Sequence, residues 1–283
     1  MKVNVEEILF VIVLYKEKLA DSQSFKTITN SIRSLGLDNK KVTLYVHDNS
    51  PEAQSLDKDY VWEFVYHSDI SNSGLSIAYN NAALFGEKGD YKYIFLLDQD
   101  TTFPEDTIST YIDAINLHTD ISLFVPILKI ADGRIMSPFR WSMKWGKFLD
   151  EVHPGIYSLD DTGPVNSGLC VQLSEFWKVG GYNEKVKVDG ADTQFIERFK
   201  RHNNKYLVLD VLGFQDFSIF EKDIKKLTTR FDIFLKDVDH FEMIDSFDRP
   251  LFFILKIKRT LRLTYDIKKM VFIKMFLKNV FHV

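Results

Sequence analysis

Residues 91–101 read YKYIFLLDQDT, and the architecture of the chain follows from this stretch. The run from Tyr91 to Leu97 is short and mainly apolar, with a YIFLL core of the kind found in a central strand buried on both faces. It closes on two carboxylates, Asp98 and Asp100. Side chains at i and i+2 of an extended chain project to the same side, so both acids face one way where the strand ends.

The same punctuation recurs on either side. Short apolar runs alternate with helical patterns: ILFVIVLY (8–15), a helix over 24–35, KVTLYVHD (41–48), a helix over 76–85, the run ending at Asp98, and a helix over 105–117. This alternation predicts βαβ units, and hence an α/β fold with a mainly parallel central sheet. The first run follows Glu6 and Glu7, with neither a basic leader nor a small-residue cleavage site, and reads as the first buried strand.

Ligands of such sheets bind beyond the carboxyl ends of the strands. The segments expected there are His47-Asp48-Asn49-Ser50, Asn72-Ser73-Gly74 and Asp98-Gln99-Asp100. From Ile130 to Thr162 the pattern turns irregular and reads as a surface excursion on the acceptor side. Asn166-Ser167-Gly168 then leads into the strand LCVQL, and Gly180-Gly181 follows a short helical turn. Beyond Asp189 the spacing of Phe195, Ile196 and Phe199 predicts a helix with Asp192 in its first turn.

Each motif admits a plain structural reading beside a chemical one. Asp98 and Asp100 form either a solvated acidic turn or a cradle for a hard divalent cation, Mg2+ or Mn2+, shared with phosphate oxygens. Thr102-x-x-Glu105 has the form of a capping box, with Pro104 in the first turn. Asp48 either closes an Asx turn or accepts the ring N–H of uracil or thymine. Asn72, Gly74 and Asn80 surround a predicted helix amino terminus suited to an anionic diphosphate. Asp189 and Asp192 offer carboxylates about ninety residues after the acidic pair; either could cap the helix, and a carboxylate there could equally take a proton from a hydroxyl.

The chain has 283 residues, 45% apolar and 27% charged, which suits one large folded domain with an appendage. Cys170 is its single cysteine, so no internal disulfide framework exists, and no Cys/His cluster has zinc-site spacing. From Leu251 to Val283 eight Lys and Arg face Asp266 alone, a net +7, so the remainder carries −11 of the overall −4. An acidic body argues against nucleic-acid binding. The basic tail has no apolar stretch of the roughly 20 residues that span a bilayer. It suits a helix lying on an anionic membrane surface, or alternatively one packed on the body or in a homo-oligomer. The predicted division is a body over 1–220 and a basic helical extension over 221–283.

Taken together and in order, HDNS (47–50), NSGLSIAYN (72–80), FLLDQDT (95–101), NSGLC (166–170), VGGYNE (179–184) and DGADTQFIER (189–198) resemble family 2 glycosyltransferases of the GT-A fold, especially the bacterial rhamnosyltransferase-like branch. The resemblance covers most of residues 8–220. It implies a Rossmann-like nucleotide-diphospho-sugar fold and an inverting transfer from a dTDP- or UDP-sugar, with Mg2+ or Mn2+ as cofactor. It also implies roles: Asp48 contacts the base, Asn72, Gly74 and Asn80 line the donor, Asp98 and Asp100 hold metal and diphosphate, Asp192 is the general base, and Ser167, Gly168 and Asp189 face the acceptor. The expected acceptor is a lipid-linked saccharide at the cytoplasmic face of a bacterial membrane, with rhamnose, galactofuranose or another hexose as the sugar. Ala191 and Gln194 stand where many relatives carry acidic residues, and Gln215 lies near the place of a late histidine. A glycosidase, which also uses two carboxylates, and a non-catalytic carbohydrate-binding protein are the other classes.

Overall fold

The computed structural model describes residues 2–36, 42–59, 61–215 and 223–281; the predicted 220/221 boundary lies outside the described residues. Every residue of β1 (Ile8–Leu14) is buried, because α1 (Gln23–Arg33) covers one face of the sheet and later helices cover the other. Alternate β1 side chains feed two cores: Ile8, Phe10, Ile12 and Leu14 on one side, Leu9, Val11 and Val13 on the other. The continuous apolar run is thus two alternating patterns, each with its own partner helices.

Four parallel strands form the heart of the sheet: β1, β2 (Val42–Asp48), β3 (Trp62–Ser68) and, across α2 (Leu75–Lys88), β4 (Tyr93–Asp98). After the short β5 (Thr101–Thr102) and α3 (Thr107–Leu117) comes β6 (Leu123–Lys129). The predicted capping box at Thr102 does not form. Thr102 is held in β5 opposite Phe214, and the helix begins five residues later, with Asp106 at its cap position.

The segment read as an irregular excursion is largely β structure. It folds into β7 (Ile135–Ser142), β8 (Trp145–Leu149), β9 (Gly155–Ser158) and β10 (Thr162–Gly163), all joined to the main sheet. Ile135, Met136 and Phe139 are buried there. Aromatic residues and prolines scattered through an antiparallel ribbon blur the period-2 signal that would have identified it.

β11 (Cys170–Gln172) runs antiparallel between β4 and β6, so β4 and β6 point the same way. After α4 (Leu173–Lys178) and α5 (Ala191–Phe199), β12 (Lys205–Gln215) pairs in parallel with β6 and turns at its end to meet β5. β1, β2, β3, β4, β6 and β12 therefore share one direction, with their carboxyl ends along one edge.

The last helices are α6 (Ile224–Asp239), α7 (Asp248–Ile267) and α8 (Val271–Phe281). Phe231, Phe234, Leu235, Val238, Phe252 and Phe272 from them share one apolar cluster with Val186, Ala191 and Phe195 of the body. Among the described residues, four of the eight basic tail residues have partners within the chain. Lys258 lies over the Trp145 ring and Arg262 pairs with Asp266. Lys256 is buried against Asp239 and Asn279, and Arg259 pairs with Asp189 and stacks on Phe234. No helix among the described residues is long and apolar enough to cross a membrane.

Candidate active site

The acidic turn after β4 is held from behind by its middle residue. The Gln99 carbonyl accepts the Ser22 hydroxyl at 2.7 Å and the Gln23 N–H at 3.1 Å, while its side-chain oxygen accepts the Tyr15 N–H at 2.8 Å. Ser24 locks Thr101 in the same way, accepting its N–H at 3.0 Å and donating to its carbonyl at 2.9 Å. With Gln99 and Thr101 bound toward α1, Asp98 and Asp100 are left facing a common partner, Gln215. Its amide nitrogen lies 2.9 Å from Asp98 Oδ2 and 3.3 Å from Asp100 Oδ1.

Tyr79, buried on α2, lies 3.4 Å from Asp98 Oδ1 through its hydroxyl. Burial pushes the Asp98 carboxyl above its ordinary value, and the contacts from Gln215 and Tyr79 offset this in part. Asp192, in the first turn of α5, is pushed up to about 6 by burial, with the charges of Asp98 and Asp189 adding to the effect. Its Oδ1 accepts the Thr193 N–H at 2.7 Å. The rings of Tyr79 and Tyr182 lie 5.2 Å apart, both within electrostatic reach of Asp98 and Asp192, and Tyr182 donates to Asn166 Oδ1 at 2.6 Å. The structure thus brings Asp192 within electrostatic reach of Asp98, which shares Gln215 with Asp100, although Asp192 lies about ninety residues further along the chain.

Gly190 makes the entry to α5 possible. Its φ of 81° is left-handed, and a Cβ there would collide with the ring of Phe241. Asp189 does not cap the helix. It forms ion pairs at 3.1 Å with Arg230 of α6 and with Arg259 of α7. Immediately before it, the N–H groups of Lys187, Val188 and Asp189 all donate to the buried carboxylate of Asp237 on α6, at 2.8 to 2.9 Å. The loop that presents Asp192 is therefore shaped by the C-terminal helices.

The other predicted residues take supporting positions. Asn80 is buried, with its amide bonded to Tyr182 O, Tyr182 N and Glu184, so it pins the turn after Gly181. The Ser167 hydroxyl lies 2.7 Å from that of Thr101 behind the acidic turn, and Gly168, at φ 77°, packs on Pro126. The amino terminus of α2, expected to be open to an anion, is covered: the Leu75 N–H donates to the Lys187 carbonyl at 2.8 Å, and a Cβ on Gly74 would strike that residue. Asn72 sits just before it in the left-handed region at φ 52°. The segment leading to α5 occupies the place assumed to be free.

Asp48, buried at the end of β2, does close an Asx turn with the Ser50 N–H at 3.0 Å. Its second oxygen accepts from Gln54 at 2.8 Å and Tyr66 at 2.9 Å, and hydrogen bonding holds its carboxyl below the ordinary value against the opposing effect of burial. The Ser50 hydroxyl bonds to the carboxylate as well, so its roughly four acceptor positions are filled within the chain. Sequence reading missed Tyr79, Tyr182, Arg230 and Asp237; Tyr79 and Tyr182 were signalled only by their places inside NSGLSIAYN and VGGYNE, and Arg230 and Asp237 lie in no motif.

The donor set fits a hard divalent cation. Two carboxylates share one amide nitrogen, Asp98 is shifted toward its neutral form by burial, and the Gln215 side-chain oxygen is buried without a hydrogen-bond partner. Among the described residues no group of three or more His, Cys, Asp or Glu gathers as a metal cage. A cation here would depend on water and ligand oxygens to complete its shell.

This arrangement, a mainly parallel sheet with an acidic turn at the end of its central strand, is the GT-A fold. Solved structures similar to the chain are S. aureus TarS 1-349, with a TM-score of 0.50 and 14% identity over 89% of this chain and 69% of that one, and the same protein in complex with UDP-GlcNAc, with 0.51 and 11% over 89% and 70%. GalNAc-T7 with UDP, GalNAc and Mn2+ gives 0.51 at 12% identity, over 76% of this chain and 44% of that one. The chain thus spans less than half the length of GalNAc-T7. No protein-family model matches the chain, and no curated protein matches it.

Proposed function

We propose that the chain is an inverting glycosyltransferase that moves a sugar from UDP or dTDP to a hydroxyl of a saccharide acceptor. The observation that carries this reading is the gathering of Asp98 and Asp100 on one amide, with Asp192, a carboxyl of raised pKa, within electrostatic reach of Asp98. The GT-A fold supports it, as do the UDP, UDP-GlcNAc and Mn2+ named for the similar structures.

In this reading Asp192 accepts the proton of the acceptor hydroxyl as that oxygen attacks the anomeric carbon. The bond from that carbon to the diphosphate breaks on the opposite side, and its electron pair leaves with the nucleoside diphosphate. Asp98 and Asp100 would hold Mg2+ or Mn2+, which supplies positive charge to the departing diphosphate. Asp48 lies on the base side of the donor, with Asn72 at its edge, and Arg230 pairs with Asp189 on the acceptor side. Rhamnose, from the resemblance, is the proposed sugar.

The test is calorimetric titration of the protein with UDP and with dTDP, each with and without Mn2+. Tight binding of one nucleotide only when Mn2+ is present is expected; no binding of either nucleotide under any condition would end the transferase reading and leave the non-catalytic one.

We further propose that α7 and α8 rest on the anionic inner face of a bacterial membrane, where a lipid-linked acceptor would be found. Phe253, Ile254, Leu261, Tyr265, Met270, Leu277 and Phe281 are exposed along these helices beside Lys258, Arg262, Lys268, Lys269, Lys274 and Lys278. Each basic residue near anionic lipid contributes about 1 kcal/mol. Changing Lys268, Lys269 and Lys274 to Gln should therefore weaken co-sedimentation with phosphatidylglycerol vesicles about 100-fold. Wild-type protein that fails to sediment with such vesicles at low salt would refute the attachment.

A further inference from the structure

The two-residue turn between β7 and β8 is made of Met143 and Lys144, both in the left-handed region, at φ 49° and 60°. Such turns ordinarily take Asn-Gly, because a Cβ is disfavoured at these angles. Here the unfavourable turn is fastened by a side chain. Lys144 points inward and pairs with two buried carboxylates, Glu197 of α5 at 2.7 Å and Asp248 of α7 at 3.2 Å. Glu197 also accepts the Trp141 indole N–H. Backbone strain of this sort persists only where the surroundings hold it, and it gathers where a protein uses the conformation. The tip of the β7–β8 hairpin is thereby fixed against α5 and the start of α7, and the three border a cavity of about 740 Å3.

The volume lies within the range of about 300–1,000 Å3 usual for small-molecule sites, and the lining is chemically mixed. Met143, 78% exposed, and Phe247, 73% exposed, bring large apolar side chains to it, together with the half-buried Trp141. Arg140 and Asp161 border it too, and among the described residues neither side chain has an ion-pair or hydrogen-bond partner. Five acidic residues and three basic ones line the cavity, so a phosphate or other anion is disfavoured. A purely apolar ligand would strip water from these charges without replacing it. A neutral saccharide satisfies both conditions. The C–H face of a sugar ring can lie on the apolar side chains, and each hydroxyl both donates and accepts, which suits a free guanidinium and a free carboxylate side by side.

We propose that this cavity is a second saccharide site, which holds a neutral stretch of the acceptor away from the hydroxyl that reacts. α5 joins the two places: Asp192 stands in its first turn, and Glu197 meets the cavity about 7.5 Å further along the axis, at ~1.5 Å per residue. Calling the saccharide an acceptor rests on the transferase reading of the proposed function, whereas its binding here does not.

The experiment applies the full chain, fluorescently labelled, to a printed array of neutral and acidic bacterial oligosaccharides, as wild type, Phe247→Ala and Arg140→Ala. Both side chains are exposed, and an unchanged urea midpoint checks that the variants fold. Wild type is expected to bind neutral oligosaccharides. Each variant is expected to bind them at least about tenfold more weakly, a loss typical of an aromatic or arginine anchor. Binding of no oligosaccharide, binding of acidic ones alone, or binding by either variant equal to wild type overturns the proposal. Titration with UDP and Mn2+ separates this outcome from the fate of the transferase reading. A chain that binds neutral saccharide through Phe247 and Arg140 but takes up no nucleotide keeps the site and loses the transferase, while one that binds nucleotide but no saccharide on the array does the reverse.

Discussion

Replacing Asp192 with asparagine is expected to lower the rate of sugar transfer by about 10²–10⁴-fold, the usual contribution of a positioned general base, while nucleotide binding stays at the wild-type level. The substitution keeps the size of the side chain and its acceptor for the Thr193 N–H, so α5 should begin as before. The pH profile is the second part of the same result. Burial, together with the charges of Asp98 and Asp189, pushes the Asp192 carboxyl up to about 6. Because the base works only when ionised, kcat/KM should climb about tenfold per pH unit below 6 and level off above about 7. An unperturbed aspartate would place that limb near 4. Initial rates measured from pH 5 to 8 check this: a flat profile, or a variant that keeps more than about a tenth of wild-type kcat, would remove Asp192 from the base's role.

The second large effect lies outside the reacting groups. Asp237 is buried on α6 and accepts three consecutive N–H groups, those of Lys187, Val188 and Asp189. Asp237→Ala leaves all three without their partner in a place where water enters poorly. Hydrogen bonds to a charged group are worth about 1.5–3 kcal/mol each, but the effects are not additive, so a loss of about 3–5 kcal/mol of unfolding free energy is expected. Urea unfolding of wild type and variant measures it. A difference below about 1 kcal/mol, the size of a single ordinary hydrogen bond, would mean that the loop holds its shape without α6.

The relation between motif and geometry differs from residue to residue. The alternation of apolar runs and helical spacing made the parallel centre of the sheet legible, because strands buried on both faces are apolar without interruption. Asp98, Asp100 and Asp192 were legible as well: acids at a strand end and at a helix start stand out against the apolar pattern around them. Asn80, Ser167 and Gly168 belong to the same motifs yet serve from behind, since a motif records which residues sit near a site and not which way they point. The covered start of α2 was beyond reach for a related reason. It depends on Lys187, more than a hundred residues later, whose carbonyl takes the Leu75 N–H. The β7–β8 ribbon was hidden by its own composition. Asp237 and Arg230 were invisible because an aspartate or arginine on an amphipathic helix looks the same whether it meets water or a loop from another part of the chain.

Gln99 gives a final turn to the acidic pattern itself. Written as a search expression, the residue between the two aspartates is a wildcard, a letter free to vary. In the molecule it is a latch, with its carbonyl against α1 and its side-chain oxygen on the amide of Tyr15, 84 positions away. A shorter residue there would leave the two flanking acids in place in the alphabet and unfastened in space. Two chains sharing the same letters can therefore differ in whether the turn is bolted to the first strand, a distinction that pattern matching has no symbol for.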